Sequence, residues 1–238
     1  MEIIITGAAN GIGRAIVKAC CDKEYSVHAC DIDGEGLERL KEECPDIEIY
    51  QVDVSNYSGV KEFFNKLDLE HDSKSLALIN NAGIYLAKDL MAYAETEIDR
   101  VVDVNIKGAV YFSKFFAGLV TINEAAGRIV NITSVSGQEG SSDAVYGMTK
   151  AALLGLTKSC AMNYAPAIRV NAVAPTMVET KMMERIPAWR KEEYHDHHLI
   201  RDPVTPEAVA ETVLFLLSDG AGHYTGATFD LNNGGYLR

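Results

Sequence analysis

The sequence predicts an α/β fold: one doubly wound parallel sheet of about seven strands, with helices on both faces. Two observations predict it. Short apolar, β-branched runs alternate with longer helical patterns along the whole chain, as repeated β-α-β units require. Most of the short runs are almost continuously apolar rather than alternating, which marks strands buried on both faces.

The strands are expected at Glu2–Thr6, Ser26–Asp31, Ile47–Asp53, Leu76–Ala82, Arg128–Ser134, Arg169–Pro175 and Ala227–Asn232. Helical patterns fall at 11–24, 35–44, 57–71, 95–126, 144–165 and 206–219. No Pro/Ser-rich linker, charge block or internal repeat divides the chain, so residues 1–238 read as a single domain. Residues 181–205 break the β-α rhythm between the sixth strand and the last helix. An insertion beyond a strand's carboxyl end is where a substrate lid sits. Met177, Met182, Met183, Trp189 and Tyr194 give that region an adaptable apolar face.

Composition excludes several functions. The net charge of -12 argues against nucleic acid and anionic membrane surfaces, which need clustered Lys and Arg. The five cysteines, Cys20, Cys21, Cys30, Cys44 and Cys160, show no CxxC spacing. That argues against a disulfide framework or zinc site and fits a reducing cytoplasm. The opening MEIIITG lacks a basic n-region, and no run reaches the length of a membrane span. His195, His197 and His198 sit close in sequence, but no Cys or second carboxylate completes a metal-ligand set, so no metal is expected.

The first strand runs into GAANGIGRAIVKAC, placing Gly7, Gly11 and Gly13 between a strand and a helix. Glycines there let backbone approach a ligand, and the helix's first N–H groups face an anion such as a pyrophosphate. The spacing is GxxxGxG, not the commoner GxGxxG of dinucleotide sites. Asp31 ends the second strand 18 residues after Gly13, near the spacing at which an acid meets the adenosine ribose hydroxyls. A carboxylate there repels a 2′-phosphate, favouring NAD over NADP. Arg14 is the nearest cation, and Asp33 is an alternative to Asp31 just past the strand. Asp53, closing the third strand, reads either as a contact to the adenine amino group or as an ordinary acid at a strand-to-helix turn.

Five segments then carry a resemblance: TGAANGIG at 6–13, NNAG at 80–83, Asn105 in DVNIKG, ITS at 132–134 and YGMTK at 146–150. In this order, over a chain of this length, they resemble the short-chain dehydrogenase/reductase family. The resemblance implies a Rossmann-like sheet, a nicotinamide cofactor, and hydride transfer to or from an alcohol or carbonyl substrate. It implies that Tyr146 is the general acid–base and that Lys150, at i+4 on the same helix face, lowers its pKa and holds the nicotinamide ribose. A free tyrosine titrates near 10, and a fall of about three units needs roughly 4 kcal/mol of stabilisation of the phenolate. Ser134 would bond the substrate oxygen, and Asn105 would hold a relay water. The cofactor would be lined by Gly7, Asn10, Gly11, Ile12, Gly13, Asp31, Asp53, Val54, Asn81, Ala82, Gly83, Pro175, Val178 and Thr180. Gln138 and Met177 join the substrate side.

Two features depart from the family. Thr176 stands where its Pro-Gly motif has glycine, and the Ser134–Tyr146 interval of 12 is one shorter than in many relatives. Two further readings stay open: an NADP-dependent 3-oxoacyl reductase, and a nucleotide-sensing protein without catalysis. The resemblance also implies a homo-oligomer, a tetramer or dimer. In the helix 144–165, Gly147, Ala151, Ala152 and Gly155 would permit close approach of a second helix.

Overall fold

The computed structural model describes residues 1–69, 74–180, 182, 183, 186 and 188–238, without the side chains of 188–190, 193 and 194. Seven strands form one sheet: β1 (Glu2–Thr6), β2 (Ser26–Asp31), β3 (Glu48–Gln51), β4 (Ser75–Asn80), β5 (Ala126–Ile132), β6 (Ile168–Pro175) and β7 (Thr228–Leu231). Their order is β3-β2-β1-β4-β5-β6-β7, and every pairing is parallel. The order reverses between β1 and β4. A crevice opens beyond the strand ends at such a reversal, and ligands of open α/β sheets bind there.

Among the described residues, eight α-helices flank the sheet: α1 (Gly11–Cys21), α2 (Gly34–Glu43), α3 (Tyr57–Lys66), α4 (Glu95–Val102), α5 (Gly108–Asn123), α6 (Ala144–Tyr164), α7 (Ala188–His197) and α8 (Pro206–Leu217). The two-residue strand period sorts β1 between two cores. Ile3 and Ile5 pack with Ile16 of α1, Leu37 of α2 and Val213 of α8. Ile4 points the other way, to Phe63 of α3, Phe112 and Phe116 of α5 and Ala161 of α6. Both faces are therefore buried, as continuous apolar strands require. Each fully buried side chain of this size contributes roughly 1.5–3 kcal/mol.

The structure departs from expectation at α1, which closes at Cys21, at β3, which ends at Gln51, in helix α7 within 181–205, and in three further places. The single helix expected over 95–126 is broken by one π turn, Asp103–Lys107, with Gly108 N–H bonded to Asp103 O. The helix expected over 57–71 closes at Lys66, and Leu67 turns extended to pack with Leu69 on the core; positions 70 and 71 lie outside the described residues. Strands β4 and β5 end two residues early. Asn81 N–H and Ala82 N–H donate to Thr6 Oγ1 (3.0 and 3.1 Å), and Ser134 Oγ accepts from Ser136 N–H, so both chains turn out of the sheet.

One buried polar pair was not read from the sequence. His28 Nε2 of β2 lies 2.7 Å from Glu2 Oε2 of β1, with side chains 4% and 3% exposed. Among the described residues, no helix is long and apolar enough to cross a membrane.

Candidate active site

A cavity of about 320 Å³ opens at the carboxyl ends of β1, β4, β5 and β6. Its floor begins with the glycine turn. Gly7 has φ +65°, and a Cβ on Gly13 would stand 2.0 Å from Gly7 O. The turn thus excludes a side chain at Gly13 by its own packing, apart from any ligand. Asn81 fastens it: Nδ2 donates to Thr6 O (3.0 Å) and Gly7 O (2.9 Å). Asn10, at the N-cap of α1, makes no side-chain cap bond. The first N–H groups of α1 keep their positive end toward the cavity wall formed by Gly7, Asn10, Gly11 and Ile12.

Asp31 lines the same cavity. Its two oxygens accept from Ala9 N–H (2.9 Å) and Asp33 N–H (3.0 Å), which ties the second strand's end to the glycine turn. Asp33 serves differently: Oδ1 caps α2 through Gly36 N–H, and Oδ2 accepts from Asn10 Nδ2. Of the two acids, the structure puts Asp31 on the cavity. Arg14 is paired with Glu43 across α1 and α2, and Lys18 joins that acid at 2.7 Å. Lys18 and Arg14 hold the Glu43 carboxyl below its usual range.

The opposite wall carries the proton-transfer candidates. Tyr146 sits in the first turn of α6, where Asp143 caps the helix by accepting from Tyr146 N–H (3.0 Å). Lys150 is one turn on, 4% exposed. Its Nζ donates to Ile132 O (2.9 Å) and lies 5.6 Å from the Tyr146 ring centroid. Burial lowers its pKa to about 8. Ser134 follows β5, and its loop docks onto α6 where Gly137 meets Lys150: a Cβ there would stand 2.6 Å from the Lys150 carbonyl carbon. Ser134, Tyr146 and Lys150 all line the cavity, with Asn81, Ala82 and Gly83 between them and the glycine turn.

The third wall is the turn after β6. Pro175, Met177, Val178 and Thr180 line the cavity with Met182, Met183 and Ile186. Thr180 packs against Gly11, so this turn reaches the phosphate end. Val178 bridges Val204, closing the base of the insertion. The side chains of Trp189 and Tyr194 lie outside the described residues.

Several expected residues stand off the cavity. Asn105 occupies the π turn, 1% exposed. Its Oδ1 accepts from Ile84 N–H (2.8 Å), and its Nδ2 donates to Ile84 O and Thr149 Oγ1. The amide therefore fastens the loop after β4 to α6. Asp53 accepts from Ser55 and pairs with Arg100 at 3.2 Å. Burial opposes its ionisation, but Ser55 and Arg100 outweigh burial and hold its pKa low. Val54 packs against Gly108. Gln138 donates to Asp230 Oδ1 at 2.7 Å.

Other residues were missed. Tyr85 lines the cavity and sets its ring edge-on to Tyr146, centroids 4.8 Å apart. Tyr93 O–H lies 2.8 Å from both Asp143 oxygens, and Lys88 N–H donates to Asp143 as well. An Asp one residue before a helix is a legible cap signal; the tyrosines carried none.

The model described as "Enoyl-(Acyl carrier protein) reductase", of the short-chain dehydrogenase type, matches residues 7–236. The chain belongs to the short-chain dehydrogenase/reductase family. As a member of that family it is similar to 3-oxoacyl-[acyl-carrier-protein] reductase of Thermotoga maritima, at 34% identity over 97% of this chain and 96% of that one. It is also similar to L-xylulose reductase of Bos taurus, at 34% identity over 98% and 95%. A solved structure of a 3-oxoacyl-[acyl-carrier protein] reductase with bound NAD from Brucella melitensis aligns with a TM-score of 0.89 and 31% identity. That alignment covers 100% of this short-chain dehydrogenase/reductase and 91% of the Brucella chain.

Proposed function

We propose that this chain transfers hydride between NAD(H) and a secondary alcohol or ketone, with Tyr146 as general acid–base. One observation carries the reading: a single cavity gathers the glycine turn, Asp31, Ser134, Tyr146 and Lys150. The turn fits a dinucleotide, because Gly7, Asn10, Gly11 and Ile12 line the cavity and α1 begins there without a side-chain cap. Gly7, Asn10, Gly11 and Ile12 would hold the pyrophosphate. Asp31 would accept from the adenosine ribose. With Arg14 already paired to Glu43 and Arg39 drawn to Asp33 and Glu35, an NADP 2′-phosphate would meet the Asp31 carboxylate, which supports NAD. The turn Pro175–Thr180 would hold the nicotinamide.

When bound, the nicotinamide ring takes or gives the hydride. Tyr146 takes the substrate hydroxyl proton in oxidation and returns it in reduction. The Lys150 ammonium beside the ring favours the phenolate. Ser134 Oγ accepts from Ser136 N–H, and its own O–H would donate to a substrate oxygen as charge develops there. Met177, Met182, Met183 and Ile186 offer the substrate an apolar body contact.

A second reading, reduction of 3-oxoacyl thioesters, is favoured by the similarity to the Thermotoga reductase. The net charge of -12 works against docking an acidic carrier. The chain reads as one domain working in the cytoplasm. A homo-oligomer belongs to the same reading: a Cβ at Gly155 would meet nothing within 4 Å, leaving that helix face open to a second copy. Gly147 packs instead on Ser141 and Ser136 of its own chain.

The test is a panel of secondary alcohols, sugars, hydroxysteroids and a 3-oxoacyl thioester. Each is offered with NAD(H) and NADP(H) while reduced-nicotinamide absorbance is followed. Turnover with NAD(H) and a secondary alcohol or ketone, lost in Tyr146→Phe, is expected. Turnover confined to NADP(H) and the thioester would establish the second reading instead.

A further inference from the structure

His198 is a buried titratable side chain that the proposed chemistry does not use. It follows α7 and is 4% exposed. Its Nε2 lies 2.9 Å from Thr176 Oγ1. Its Nδ1 is buried without a hydrogen-bond partner among the described residues. Burial, with His195, Arg201 and His197 nearby, holds its pKa below the usual histidine value. The ring is therefore neutral at pH 7, and a neutral ring bonds the threonine hydroxyl in either tautomer.

The ring is wedged from behind by the end of the chain. Leu199 N–H and Ile200 N–H donate to Asn233 O (2.9 and 3.1 Å). A Cβ on Gly235 would stand 2.8 Å from His198 Cδ2. Asn232 holds that segment in shape by donating to Tyr236 O and accepting from Gly234 N–H. On the other side, Thr176 lines the cavity, and its N–H donates to Leu231 O at 3.1 Å. Thr176 is thus anchored once through its backbone and once through its side chain, in a turn that Val178 and Glu179 also tie to Val204. Glycine, the residue of the family's motif at this point, has no hydroxyl and could make only the first anchor. Packing alone would be served by an apolar ring, without a buried unpaired nitrogen.

We propose that His198 is a positioning residue that acts through Thr176, fixing the Pro175–Val178 turn that supports the nicotinamide end of the cavity. The proposal rests on the cofactor reading above, and its test separates the two. Thr176→Val removes the hydroxyl and keeps the shape; Thr176→Ser keeps the hydroxyl. NMR follows the His198 ring, assigned by its loss in His198→Phe, in the free protein and with NADH added. In the wild type and Thr176→Ser, NADH moves the His198 signal. In Thr176→Val, the signal is displaced in the free protein and NADH no longer moves it.

Kinetics should agree. kcat falls about tenfold in Thr176→Val and in His198→Phe, the order expected from one buried hydrogen bond. KM for the alcohol stays within about twofold, and the double variant is no worse than either single one, as coupled residues behave. Thr176→Ser stays near wild type. An unchanged His198 signal in free Thr176→Val, or additive losses in the double variant, overturns the positioning role alone. Failure of NADH to bind the wild type overturns the cofactor reading and the proposal with it.

Discussion

Lys150→Met should make the protein more stable while removing its activity. The lysine is fully packed, and burial lowers its pKa from 10.5 to about 8. Holding the ammonium there at pH 7 costs the fold about 3 kcal/mol relative to an exposed lysine. Methionine fills a similar volume without charge. It forfeits the bond to Ile132 O, a loss of about 1 kcal/mol. The net gain of about 2 kcal/mol corresponds to roughly 4–8 °C in a chain of this size. The pH dependence gives the sign. Between about 8 and 10.5 the unfolded lysine binds a proton that the folded one has lost, so wild-type stability rises with pH through that window. The variant lacks that rise. Thermal unfolding of both proteins without cofactor, from pH 7 to 10.5, should show an advantage for Lys150→Met that shrinks as pH climbs. Turnover should fall by about 10²-fold or more. A variant melting below wild type at pH 7, or a gap indifferent to pH, would refute the claim that burial strains this lysine.

Three further outcomes follow from the geometry. Gly13→Ala places a methyl 2.0 Å from Gly7 O, so the turn must shift; NADH affinity, read by fluorescence titration, should fall at least about tenfold, with a loss of about 1–3 kcal/mol in stability. Glu2→Leu leaves the buried His28 Nε2 without its partner on Glu2, and urea unfolding should register a loss of about 1–3 kcal/mol. Asp31→Asn keeps an acceptor but removes the charge; the NAD-to-NADP ratio of kcat/KM should fall about tenfold, equivalent to about 1.4 kcal/mol.

Much of this was legible because local pattern and topology agree. Continuous apolar runs such as EIIIT located strands that the sheet buries on both faces, and the glycine turn followed the strand it was read from. Ser134, Tyr146, Lys150, Asp31 and Asn81 could be named because each falls in a segment of recognisable order, and one cavity brings them together. What was illegible depends on residues distant in sequence. The π turn at Asn105 exists because its amide reaches Ile84 and Thr149, and helical periodicity carries no trace of those partners. Asp33 and Asp31 were rivals on spacing; the cap on α2 and the cavity wall separate them. Arg14 read as the nearest cation to the ribose site, and its partner Glu43 lies 29 residues on. Asp53 was placed by its strand-end position and Gln138 by its nearness to Ser134, but Arg100 and Asp230 engage them. Thr176 read as a departure from a motif, and its reason, His198, lies 22 residues on.

The most direct measurement follows the hydrogen itself. The protein is incubated with NAD and secondary alcohols deuterated at the carbinol carbon, and the cofactor is analysed by mass spectrometry. Deuterium is expected in the reduced cofactor with wild type, at one face of the ring, and is lost in Tyr146→Phe. Label transfer undiminished in Tyr146→Phe, or none from any alcohol in the panel while NAD binds, would contradict hydride transfer with Tyr146 as general acid–base.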